Sequence, residues 1–274
     1  MNRLPILFDE ITLLITHYNR SSSLERLLLS FEKLKIRFHA VVVSDDYSND
    51  DHLKKLDLLK ERFNLKIIQA DKNRGLANNI NKGQRMVSSP FTLYVQEDFV
   101  PNPEFAERLT DGLALMEEDV EIDLVRFYSH HKHPYLNPLI KGFYEMKFHI
   151  LRRGFKQFWC YSDTPHLRRS NFLQKFGDYP EGLGSDKAEF KMAISFLQNK
   201  GKAIIHEDFR NIFIHENTIS EPSQVSRKGF RKYIQSTDFP LLKYLRTIYR
   251  NIKFRLKYLF NPRLISINPK ANNQ

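Results

Sequence analysis

Four apolar or β-branched runs in the first hundred residues, each but the last followed by a helical repeat, restrict this chain to a largely parallel α/β architecture. Ile11 to Thr16, Val41-Val42-Val43, Leu65 to Gln69 and Phe91 to Val95 read as buried strands. After the first, Leu24, Leu27, Leu28, Phe31 and Leu34 recur at helical spacing behind Ser21 and Ser22, either of which can cap a helix. After the second, Leu53, Leu56, Leu59 and Phe63 repeat the pattern, and a third helix opens near Gly75 and runs to about Val87. Parallel neighbours need a crossover, and a helix supplies it. The rhythm predicts a mostly parallel, doubly wound sheet.

In such a sheet the strand C-termini converge on one edge, and ligands bind in the crevice outside it. Three polar segments arrive there: Ser44-Asp45-Asp46-Tyr47-Ser48, Asn73-Arg74-Gly75-Leu76-Ala77 and Gln96-Glu97-Asp98. Gathered carboxylates repel one another unless a cation or a donor-rich ligand lies between them. This edge therefore predicts a site for a nucleotide diphosphate and a divalent metal.

Beyond Asp98 the rhythm changes. Pro101-Asn102-Pro103 breaks the chain before a helix over Phe105 to Met116, and Leu124 to Tyr128 reads as a strand. Residues 129–161 are rich in aromatics, His and Pro, and give no clear period. Ser170 to Phe176 and Asp186 to Asn199 read as helices, and Ala203-Ile204-Ile205 and Ile212-Phe213-Ile214 as short strands. The expected division is a globular domain over 1–221, with a donor-binding half at about 11–105 and an acceptor-binding half at about 106–221. A basic tail over 222–274 follows.

The charge supports that boundary. Of 43 Lys/Arg and 32 Asp/Glu in the chain, residues 222–274 hold 12 bases and one acid, leaving 31 of each sign in residues 1–221. The net charge of +11 belongs to the tail, so a basic nucleic-acid-binding fold is not expected. Cys160 is the single cysteine, which excludes an internal disulfide and a thiolate metal cluster and suits a reducing, cytoplasmic setting. No run of about 18 apolar residues predicts a membrane span, and the first ten residues are too short an apolar stretch for a secretory signal.

Four motifs in order give the chain a family resemblance. Thr16-His17-Tyr18-Asn19-Arg20, Val43-Ser44-Asp45-Asp46-Tyr47-Ser48-Asn49-Asp50, Asn73-Arg74-Gly75-Leu76-Ala77-Asn78-Asn79-Ile80-Asn81-Lys82-Gly83 and Leu93-Tyr94-Val95-Gln96-Glu97-Asp98 resemble those of the family 2 glycosyltransferases, inverting enzymes with the GT-A fold. The resemblance implies transfer of a sugar from a nucleotide diphosphate, a UDP-sugar foremost, to a hydroxyl of a glycan or lipid-linked acceptor in surface polysaccharide synthesis. It implies donor binding by Thr16, Tyr18, Asn19, Arg20, Asp46, Asn73, Arg74, Gly75, Asn81 and Glu97, with Asp46 accepting the uracil N–H. It further implies a Mn²⁺ or Mg²⁺ ion held by Asp98, with His215 as a second ligand, and a catalytic base at Asp186, ahead of Glu189 and Glu181. Two positions depart from the pattern. Gln96 stands where the metal motif usually begins with Asp, and Ile80 where many members carry Arg, which leaves Arg74 or Arg85 for the diphosphate.

Simpler readings stand beside these. Asp45 or Asp46 can close an Asx-turn at Ser48, and Ser185 or Asp186 can cap the helix through Leu197. His130, His131 and His133 lack the His-x-x-x-His spacing of a zinc helix and read as a solvated loop near the acceptor. Trp159, Tyr161 and the segment Ser162 to Leu167 read either as a sugar-stacking wall or as core and turn. The rival function is a non-catalytic nucleotide-sugar-binding or membrane-adaptor protein, made thinkable by Gln96.

The tail carries a pattern of its own. Asp238 and Pro240 open a helix to about Phe260, with Leu241, Leu245, Ile248, Ile252, Leu256 and Leu259 on one face and Lys243, Arg246, Arg250, Lys253 and Lys257 on the other. That is the pattern of an interfacial helix over residues 238–260 on an anionic membrane, at the cytoplasmic face. The competing reading is a helix packed on the domain with a solvated basic face.

Overall fold

The computed structural model describes residues 4–216, Glu221 and residues 240–265. Asp238 lies outside the described residues. The first half runs β1 (Ile6–His17), α1 (Ser21–Lys33), β2 (Ile36–Asp45), α2 (Asp50–Phe63), β3 (Leu65–Gln69), α3 (Leu76–Gln84) and β4 (Phe91–Gln96). There follow β5 (Phe99–Pro101), α4 (Phe105–Glu118), β6 (Ile122–Arg126), β7 (Leu136–Pro138), β8 (Phe143–Met146), a 3₁₀ turn at Phe155–Phe158 and β9 (His166–Arg169). The chain continues through α5 (Phe172–Phe176), α6 (Ser185–Gln198), β10 (Lys202–His206), β11 (Phe213–His215) and α7 (Pro240–Phe260).

Nine strands form one sheet in the order β3-β2-β1-β4-β9-β6-β10-β8-β7. The first four are mutually parallel, as the βαβ rhythm requires. The second half is mixed: β9 runs antiparallel between β4 and β6, while β6 and β10 are parallel. Alternation along the central strand divides the core. Leu13 and Ile15 pack with Leu24, Leu27, Phe31, Leu56 and Phe105, whereas Leu14 packs with Ile80, Phe172, Ala193 and Phe196. α3 lies close enough to the sheet that a Cβ on Gly83 would meet Leu14 Cδ1 at 2.5 Å and Ser44 Cβ at 2.9 Å, so this contact needs glycine.

Neither expected serine caps α1. Arg20 flanks its start without a side-chain cap, and Ser21 Oγ is engaged with His52 Nδ1 at 2.7 Å. The carboxylate of Glu221 does the capping: Oε1 accepts Ser22 N–H at 2.9 Å and Oε2 accepts Ser23 N–H at 2.8 Å. A full negative charge at a helix N-terminus satisfies two orphan donors and complements the dipole. α7 is a helix from Pro240 to Phe260, as the sequence periodicity predicts.

Candidate active site

Register brings the first two loops together. Thr16 pairs with Ser44 and His17 with Asp45, so both chains leave the sheet side by side. The two aspartates then divide their work. Asp45 closes the turn, accepting Ser48 N–H at 3.0 Å and the His17 ring Nδ1 at 2.7 Å. Burial would raise its carboxyl, but the His17 and Ser48 bonds hold it below the usual range. Asp46 is 4% exposed and accepts Arg74 N–H and Gly75 N–H, each at 2.8 Å. Burial nonetheless leaves the Asp46 carboxyl above its ordinary value. One carboxylate thus joins the second and third motifs. Gly75 takes φ 84°, which other residues adopt only with strain, and the space where a Cβ would sit is open.

The other members of this group are placed as follows. Thr16 Oγ1 bonds the Tyr94 hydroxyl at 3.1 Å, and Asn19, at φ 51°, donates its N–H to Ser48 Oγ at 2.8 Å. Tyr18 is half-buried and Asn73 exposed on the same rim. The Arg74 guanidinium pairs with Asp71 at 2.8 Å on the surface, and that of Arg85 with Asp178. Asn81 is buried and ties α3 to the other half of the molecule, through Tyr179 O at 2.9 Å and Glu181 Oε1 at 3.1 Å.

The acidic end of β4 lies beside this turn, because Thr16 also pairs with Gln96. The short β5–β11 ribbon opposes His215 to Phe99 and so delivers the imidazole to Asp98. Asp98 Oδ2 accepts His215 Nε2 at 3.0 Å and Arg20 NH1 at 2.7 Å. Burial would raise the Asp98 carboxyl, but these two donors hold it below its ordinary value. Glu97 is the opposite case: burial, then the neighbouring Asp98 charge, push its carboxyl up to about 8. Arg20 lies 3.8 Å from Glu97 Oε1 and also donates to Glu221 O at 3.2 Å. Among the described residues, Arg20 is the cation paired with this acidic edge.

Asp98 Oδ1 is buried and has no hydrogen-bond partner among the described residues. A buried carboxylate oxygen without a donor is costly unless something binds it. Among the described residues no cluster of three His, Cys, Asp or Glu side chains forms a self-sufficient metal cage. One carboxylate with a spare oxygen beside an imidazole fits a divalent ion whose remaining ligands are diphosphate oxygens and water.

Beside this edge lies a buried polar wall that has no periodic signature in the sequence. Gln96 Nε2 donates to Asp163 O at 3.2 Å. Asp163 Oδ1 accepts the hydroxyls of Tyr161 and Tyr179 at 2.8 and 2.9 Å. Burial and then the charge of Glu189 raise the Asp163 carboxyl well above its usual range. Glu189, half-buried on α6, accepts Ser162 Oγ–H at 2.7 Å and Asp163 N–H at 3.0 Å through one oxygen. Asp186, one turn earlier, is exposed; the helix begins after Gly184 with no side-chain cap. Tyr161 is core, and Trp159 packs on Phe190 with ring centroids 5.4 Å apart. His133 departs from the solvated-loop expectation: it is 4% exposed, tied to Tyr135 O at 2.9 Å, and burial lowers its pKa to about 4.

Comparison with known proteins bears on the family and the fold. The family model described as Glycosyl transferase family 2 matches residues 12–179. An uncharacterised protein of Methanocaldococcus jannaschii is 27% identical over 220 residues, 76% of this chain and 90% of that protein. The poly-beta-1,6-N-acetyl-D-glucosamine synthase of Staphylococcus aureus is 27% identical over 92 residues, 34% of this chain but 22% of the synthase. S. aureus TarS 1-349 in complex with UDP-GlcNAc superposes at TM-score 0.59 and 20% identity, over 90% of this chain and 72% of that one. The mannosyltransferase PcManGT from Pyrobaculum calidifontis, in complex with GDP-Man and Mn²⁺, superposes at TM-score 0.54 and 16% identity, over 94% and 75% of the two chains. At such identities the structural likeness establishes the fold, an α/β fold of the GT-A type.

Proposed function

The chain belongs to glycosyl transferase family 2, and from that membership we propose an inverting transferase that moves a sugar from a nucleotide diphosphate, preferentially UDP, to an acceptor hydroxyl. One observation carries the reading: Asp98 presents a buried oxygen, without a hydrogen-bond partner among the described residues, at the strand edge beside His215 and next to the turn that holds Asp46. Thr16, Tyr18, Asn19 and Asp46 line the base, and Asn73, Arg74 and Gly75 close that rim. Asp98 and His215 hold the Mn²⁺ or Mg²⁺ ion, which when bound offsets charge on the departing diphosphate. Arg20, already paired with Asp98, adds a fixed positive charge to the same edge. Glu97 offers its carboxyl to the ribose hydroxyls.

The base that takes the acceptor proton is a carboxylate on α6. Asp186 and Glu189 compete for that role, and geometry favours Glu189. It is half-buried and held against Ser162 and Asp163, which abut Gln96 at the donor edge. Asp163, hydrogen-bonded to the hydroxyls of Tyr161 and Tyr179, holds this wall in place beside the base. The acceptor we propose is a growing surface polysaccharide or its lipid-linked precursor, at the cytoplasmic face of a membrane. The similarity to the poly-N-acetylglucosamine synthase and the basic tail support that choice.

The test is release of nucleoside diphosphate from a panel of UDP- and GDP-sugars, with Mn²⁺ or with EDTA, followed by NMR assignment of the product anomer. Metal-dependent release with an inverted anomer supports the proposal. Tight UDP-sugar binding without turnover, over a panel of acceptors, would favour a nucleotide-sugar-binding protein.

A further inference from the structure

α7 is fastened to the domain by one face and leaves a different, apolar face uncovered. Phe254 packs on Phe190 with centroids 4.3 Å apart, Tyr258 packs on Phe148 at 5.0 Å, and Gln198 Nε2 donates to Tyr258 O at 2.7 Å. Around the helix from these anchors, Leu245, Ile248, Ile252, Leu256 and Leu259 recur at spacings of three and four and are 37–58% exposed. The leucine–isoleucine stripe that stands out in the sequence is therefore not what packs on the protein. Arg246, Arg250, Lys253 and Lys257 run along one edge of the stripe. Arg255 lies on the other, its guanidinium donating to Arg152 O at 3.0 Å, beside the exposed Leu151. Residues 240–265 contain no Asp or Glu. No helix among the described residues is long and apolar enough to cross a membrane.

We propose that this stripe, with its flanking bases, is a docking surface for an anionic lipid bilayer, and that α7 lies in the plane of the interface. A continuous exposed apolar helix face needs a cover, and the charge on its flanks selects which one. A second copy of this chain would set two rows of bases against each other. A bilayer accepts the stripe at the acyl boundary while the long basic side chains reach anionic headgroups. The anchoring has a further consequence, which rests on the transferase reading. Phe254 touches Phe190, the neighbour of Glu189, so docking brings the acceptor side of the site to the lipid surface. That placement suits a lipid-linked acceptor.

Co-sedimentation of the full chain with phosphatidylcholine vesicles, and with vesicles containing about 30% phosphatidylglycerol, tests the surface at low and high salt. Binding is expected only to the anionic vesicles, and to weaken with salt. Ile252→Gln with Leu256→Gln, and separately Arg246→Gln with Lys253→Gln, should each lower partitioning about tenfold or more. All four side chains lie outside the catalytic machinery, so circular dichroism and UDP binding should be unchanged. Equal sedimentation of wild type and both variants, or no binding by folded wild type, overturns the proposal. So does a wild-type dimer that Ile252→Gln with Leu256→Gln abolishes, or capture by an acidic protein with no affinity for lipid. Release of UDP in vesicle-free buffer is measured in parallel: its absence would count against the transferase reading and leave the docking surface standing.

Discussion

Replacing Glu97 by glutamine should change how stability depends on pH, and the size of the change follows from the site. The Glu97 side chain is 10% exposed, adjoins Asp98 in the chain and lies 3.8 Å from Arg20. Burial and the Asp98 charge push its carboxyl up to about 8, against 4.5 for an unburied glutamate. Between those values the folded chain keeps a proton that the unfolded chain has lost. The Glu97 contribution to stability is thus complete below the unfolded value and disappears as pH rises through the folded one. One proton is worth about 1.4 kcal/mol per pH unit, so the ceiling between pH 5.5 and 7.5 is roughly 3 kcal/mol. Relaxation of Arg20 toward the ionised carboxylate reduces this to about 1–2 kcal/mol. The amide of the Glu97→Gln variant cannot titrate and nearly matches the shape of the protonated acid. Urea unfolding followed by Trp159, the single tryptophan, with EDTA present, should show wild type losing that much more stability than Glu97→Gln over the interval. Parallel curves, within about 0.3 kcal/mol at both pH values, would refute the neutral, buried Glu97.

Glu221→Ala should destabilise the chain by about 1–2 kcal/mol, because two N–H groups of α1 lose a charged cap. The Glu221 carboxyl is raised by burial but held lower still by Ser23 and Ser22, so its contribution is present near neutrality and lost in acid. Calorimetry from pH 7 into acid should show the wild-type advantage shrinking as pH falls. Glu189→Gln should lower kcat by about 10²-fold or more with little change in donor affinity. Asp186→Asn should have a small effect, and the reverse ranking in steady-state kinetics would return the base to Asp186.

Much of this was legible because the physics is local. The first half of the fold is built from strands with apolar runs and helices with one apolar face, and both leave periods in the sequence. Asp46 and Asp98 follow the ends of β2 and β4, and His215 ends the short β11, so an apolar or β-branched run followed by acid or imidazole marks all three as candidates. What was hidden depends on distant chain segments. β9 carries Arg168, fully buried yet bonded to Gln84 Oε1 at 2.7 Å, and no periodic pattern distinguishes such an arginine from a surface one. Glu221 caps a helix that starts some 200 residues earlier, which no capping signature of consecutive residues can announce. His133 reads as one of three polar histidines until Tyr135 O and Gln157 O enclose it. In α7 the apolar stripe was plain, but the anchors Phe254 and Tyr258 sit among the bases. Only the packing of Phe190 and Phe148 reveals which face is outward.

Metal-supported release of nucleoside diphosphate from whichever nucleotide sugar of the panel the wild type turns over, compared between wild type and Asp98→Asn, tests the central claim most directly. The amide keeps the shape of the side chain but removes the charge that holds the ion against the diphosphate. The account predicts Mn²⁺-dependent release by wild type and a loss of about 100-fold or more in the variant, with circular dichroism unchanged. Equal turnover by the two proteins at saturating Mn²⁺ would contradict it.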